Sequence, residues 1–71
     1  MAADYTKLDA KIMATIREHT FARFATILAH ARAEACEHSR DDAFRVVDRR
    51  LQSMRKRGLV VFNGIRWTLP K

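Results

Sequence analysis

At Gly58 the apolar pattern of the chain changes period. Before it, Phe44, Val47, Leu51 and Met54 recur every three or four residues, as one face of a helix does. After it, apolar residues alternate with others, the mark of half-buried strands. Asn63-Gly64 splits this second run, and Asn-Gly between β-rich runs favours a two-residue type I′ turn. A helix must therefore end at the glycine and feed directly into a hairpin, about 59–69. Gly58 suits the left-handed residue that closes a helix. The turn sets Phe62 opposite Ile65 and Val60 opposite Trp67. One hairpin face then holds Val60, Phe62, Ile65, Trp67 and Leu69, and the other Leu59, Val61, Arg66 and Thr68. Pro70 ends the second strand.

Three helical stretches precede the hairpin. The first, about 5–18, carries Tyr5, Leu8, Ile12 and Ile16 at helical spacing. Thr6 and Asp9 have the spacing of a capping box, with Asp where Glu or Gln is usual, and Asp4 is an alternative cap. The second, about 21–37, has a stripe of Phe21, Phe24, Leu28, Ala31 and Ala35, flanked by Ala25 and Ile27, with Thr20 as N-cap. Phe21 and Phe24 are expected in the core. The third, about 40–57, has Ser39 to cap it. Asp41 and Asp42 stand at the positive end of its dipole, and basic residues crowd its last turn.

The chain has 71 residues, room for one domain. Cores of this size contribute roughly 3–5 kcal/mol without staples. A single cysteine, Cys36, excludes an internal disulfide and fits a reducing, cytoplasmic setting. Hydrophobic residues make up 48% of the chain, enough for a compact core and too much for disorder. No apolar run approaches the roughly 18 residues that span a bilayer. The first eleven residues show no basic start followed by an apolar stretch, so no signal peptide is expected.

Charge is unevenly placed. Residues 1–39 hold five basic and five acidic side chains, whereas residues 40–71 hold nine basic ones against Asp41, Asp42 and Asp48. The whole excess of six lies in the second half. Such an asymmetry is the footprint of a phosphate-binding surface. The alternative is a solvated basic face that serves solubility.

The order helix, helix, helix, hairpin, with Val47, Leu51, Met54, Gly58, Leu59 and Val60 at their spacing in VVDRRLQSMRKRGLV, resembles the winged helix-turn-helix superfamily. The resemblance spans about residues 5–70 in layout and 44–69 in motif. It implies a mainly α fold, three helices followed by a short two-stranded wing. It also implies a third helix in the major groove of DNA and a wing against the backbone or minor groove. At about 100° per residue, the face opposite the buried stripe holds Asp42, Arg45, Arg49, Ser53 and Lys56, with Val46 and Gln52 at its borders. Arg45 and Arg49 can read guanine and Gln52 adenine. Arg40, Arg55, Lys56 and Arg57 are placed for phosphates, which position a protein without reading sequence. Arg45 or Arg49 paired with Asp41, Asp42 or Asp48 is the competing arrangement. Two features depart from the pattern. The wing is short, so only Arg66, Asn63, Gly64 and Lys71 can graze a phosphate. Asp41 and Asp42 stand where phosphate would approach. They can accept from cytosine, balance the helix dipole, or turn the domain towards a protein partner instead.

Other chemistry finds little support. Cys36, His30 and His38 provide three zinc ligands where a structural site wants four. There is no Gly-rich phosphate loop and no carboxylate pair on a cleft, so an enzyme is not expected and no cofactor is implied. Trp67 belongs to the apolar face, a core position rather than a base-stacking one. The expected function is double-stranded DNA binding as a transcriptional regulator, with a homodimer on two half-sites as one arrangement. A protein-interaction winged helix, using the first or second helix or the outer hairpin face, is the alternative. RNA is a third partner class.

Overall fold

The computed structural model describes residues 4–19 and 21–70. They form α1 (Thr6–Glu18), α2 (Phe24–Cys36), α3 (Ala43–Lys56), β1 (Val61–Phe62) and β2 (Trp67–Thr68). The two strands pair antiparallel. Three helices followed by a small hairpin is the winged helix-turn-helix layout.

Tyr5 holds the N-cap position of α1 without a side-chain cap bond, so the Thr6–Asp9 box does not form, and Asp4 bonds Thr6 from one residue before the cap. The Asp4 carboxylate accepts from the Thr6 amide at 2.9 Å and its hydroxyl at 2.6 Å. These bonds hold the Asp4 carboxyl below the ordinary carboxylate range. Asp9 is engaged elsewhere, by Arg50. Leu8, Ile12, Thr15 and Ile16 face inward. Buried Thr15 donates its hydroxyl to the Lys11 carbonyl at 2.8 Å, so no polar atom is stranded there.

α2 begins at Phe24, three residues after the expected start, and Thr20 lies outside the described residues. The delay has a visible cause. Trp67 donates its amide to the Ala22 carbonyl at 2.8 Å, which adds Ala22 as a bridge on the far edge of β2. A helix starting at 21 would need that carbonyl for its own ladder. Phe21 therefore stays outside the helix and half-exposed, not in the core. Ile27, Ala31 and Ala35 are buried, and α2 packs against both α1 and α3. The alanines leave room for that close double approach.

α3 begins at Ala43, not near residue 40. Ser39 does not cap it, because it lies three residues before the N-cap position, and its amide instead closes α2 by donating to the Ala35 carbonyl at 3.1 Å. Asp42 takes the N-cap position without a side-chain cap bond. The inner side is Ala43, Val47, Leu51 and Met54. Phe44, expected in that stripe, is 60% exposed, and its ring rests against Phe24 at 4.7 Å. It sits about 100° round the helix from Ala43, the small residue that occupies the crowded position. The helix ends as expected. Gly58 has φ of 77°, its amide donates to Arg55, and the Leu59 amide reaches back to Met54 at 2.9 Å. This pair of bonds is a Schellman closure, which satisfies the last carbonyls.

The hairpin register differs from the expected one by two residues. Phe62 pairs with Trp67 and Val61 with Thr68. Asn63 Oδ1 accepts from the amides of Ile65 and Arg66 at 2.9 and 2.8 Å, and the Asn63 amide donates to the Arg66 carbonyl. The turn is thus centred on Gly64-Ile65, with Asn63 flanking it as an Asx cap. No residue other than glycine has positive φ among those described, whereas a type I′ turn at Asn63-Gly64 would demand it of Asn63. A shift of two keeps side-chain parity, so Val60 and Trp67 still face inward while Phe62 and Leu69 pack partly on the core. Ile65 falls into the turn instead and is 62% exposed. Trp67, at 4% exposed, closes the base of the core.

Candidate nucleic-acid interface

α3 has two sides with different partners. Its inner side supplies Val47, Leu51 and Met54, each buried and each contributing roughly 1.5–3 kcal/mol by leaving water. That burial fixes the rotation of the helix and hence which residues point out. Arg45, Arg49 and Lys56 are exposed, and Gln52 and Ser53 are half-buried beside them. A shallow depression lined by Asp48, Arg49, Gln52, Ser53, Lys56 and Arg57 runs along the C-terminal half of this face.

Among the described residues, the one ion pair within 4 Å is Arg50–Asp9. Arg45 and Arg49 therefore do not pair with Asp41, Asp42 or Asp48. Their guanidinium donors stay available, as do the ammonium of Lys56 and the exposed Arg40 and Arg57. Arg40 lies in the turn ahead of α3 rather than on the helix, and Arg57 is its C-cap. Arg66 is half-buried at the hairpin, its guanidinium 5.3 Å from the centre of the Phe21 ring. Arg23 approaches the same ring at 4.9 Å. Lys71 lies outside the described residues.

Arg50 shows what a structural arginine looks like on the same helix. Its Nε and Nη2 donate to the two oxygens of Asp9 at 2.9 and 2.8 Å, a bidentate fork tying α3 to α1. These bonds raise its pKa further above an already high value. The guanidinium also lies 4.4 Å from the centre of the Tyr5 ring, and Tyr5 in turn packs on His38 at 4.5 Å. Sequence reasoning gave Arg50 no role. Its position beside the apolar stripe was the available signal, but Asp9 is forty-one residues away and periodicity carries no such pairing.

Among the described residues, no three His, Cys, Asp or Glu side chains gather as a metal site, and no helix is long and apolar enough to cross a membrane. His30 instead packs on His19, whose ring nitrogen bonds the Thr15 carbonyl at 2.8 Å.

Set against protein-family models, curated proteins and solved structures, the chain matches none of them.

Proposed function

We propose that the chain is a small double-stranded DNA-binding protein acting as a transcriptional regulator, with α3 docked in the major groove. The observation that carries this reading is the exposed row Arg45, Arg49 and Lys56, which has no ion-pair partner among the described residues, on a helix whose rotation is fixed by its core side. In that pose Arg45, Arg49 and Gln52 meet base edges, and Ser53 lies beside them. Arg40, Lys56, Arg57 and Arg66 meet the backbone. One module of this size spans few base pairs, so two copies on two half-sites is the arrangement that would lengthen the site.

The test is a titration of labelled duplex DNA at several salt concentrations. The affinity should fall with a log–log slope of about −0.9 for each phosphate neutralised. Arg45→Ala and Arg49→Ala should each cost about 1–3 kcal/mol of binding. Absence of binding at low salt sinks the reading, and binding indifferent to both substitutions sinks the docking face.

A protein partner is the second reading, favoured by the exposure of Phe44, Leu59, Val61 and Ile65. Partner-induced chemical-shift changes at these residues, with no DNA binding, would decide for it.

A further inference from the structure

The basic face does not stop at α3. Beside Arg45, Val46 and Arg49 a cleft of about 250 Å³ opens towards the start of α1 and the α2–α3 turn, where Tyr5, His38, Ser39 and Asp42 complete its lining. Its chemistry is that of an anion receptor. Two guanidinium groups, Arg45 and Arg49, line it without an ion-pair partner among the described residues. Tyr5, Ser39 and His38 line the same cleft and carry two hydroxyls and an imidazole. One carboxylate, Asp42, opposes an anion there. It makes no side-chain cap bond to α3, so its charge stands free of that helix's own structure.

This lining is built rather than incidental. Asp9 fixes Arg50 through two bonds, Arg50 lies over Tyr5, and Tyr5 packs on His38. This sequence of contacts holds the His38 ring at the junction of the cleft with a second depression, lined by Asp4, Lys7, Glu34 and Glu37. His38 thus shares one depression with Asp4, Glu34 and Glu37 and the other with the arginines of α3.

We propose that this cleft binds a phosphate group, held by His38 and Ser39 within the positive field of Arg45 and Arg49, whose guanidinium groups go on to the base edges. Resting on the DNA reading above, the phosphate is a backbone diester flanking the groove that α3 enters, and the docking footprint extends beyond α3 to the α2–α3 turn and the first residue before α1. A free phosphate ion shares this chemistry and is separated by the test.

The test measures duplex affinity for the wild type, His38→Gln, Ser39→Ala, Asp42→Asn and, as a charge control on the other depression, Glu34→Gln. Thermal melts of each variant verify folding. Alongside, inorganic phosphate is titrated into the protein while backbone amides are followed by NMR. His38→Gln and Ser39→Ala should weaken duplex binding roughly two- to five-fold, the range of a surface contact to a charged group. Asp42→Asn should tighten it by a similar factor, and Glu34→Gln should change it less. Equal tightening by Asp42→Asn and Glu34→Gln would reduce the effect to net charge and overturn the cleft. So would duplex binding that ignores His38 and Ser39 in folded variants. If no duplex binds, the DNA reading fails by itself. Phosphate-induced shifts at His38, Ser39 and Arg45 would then keep the cleft as a free-phosphate site, and their absence would overturn it.

Discussion

Arg49 and Arg50 are neighbours in sequence and opposites in structure. Arg50 is clamped by Asp9 and lies over Tyr5, whereas Arg49 faces outward with no ion-pair partner among the described residues. A step of about 100° round one helix separates them. The same side chain serves the fold on one side and is left available to a partner on the other. What distinguishes them is the neighbour across the helix pair. α1 presents a carboxylate within ion-pair distance of Arg50, and among the described residues no carboxylate lies within that distance of Arg49.

That contrast can be broken most forcefully from beneath. Leu51→Ala removes a fully buried side chain from the side that sets α3's rotation. It should destabilise the domain by about 2–5 kcal/mol in urea denaturation, with DNA binding lost in step with folding. The next largest effect is a crossed pair. Arg49→Ala should leave the melting curve nearly unchanged while costing about 1–3 kcal/mol of binding. Arg50→Ala should lower stability and affect binding less. If both variants fall in the same assay, the division between the two sides is wrong. The smallest effect is the coupling itself. A double-mutant cycle of Asp9→Ala with Arg50→Ala should return up to about 1 kcal/mol, the upper range for a partly solvated pair.

The order and type of the elements were legible from local pattern. The stripe Val47, Leu51, Met54 followed by Gly58 placed α3 and its end, because periodicity and a left-handed closing residue are both short-range signals. What was not legible depends on distant partners. The start of α2 is set by the Ala22 carbonyl, engaged by Trp67 from the other end of the chain. The register changed because Asn63 uses its side chain to cap the turn instead of its backbone to make it. Phe44 was misplaced because it sits at the border of the stripe, where Ala43 takes the buried position. For the site, the outward direction of Arg45 and Arg49 followed from the stripe alone. The cleft did not, since Tyr5, His38 and Ser39 meet these arginines only once α1 and the α2–α3 turn have packed.

The bridge between Ala22 and Trp67 also bears on how the domain assembles. It joins residues forty-five positions apart, while the helices and the hairpin close over a few residues each. Loop-closure entropy makes such a distant contact expensive until the intervening helices have shortened the span. The union of hairpin and helical body then belongs to the late part of folding. The only tryptophan of the chain stands at that junction, so its fluorescence is a built-in clock for this step.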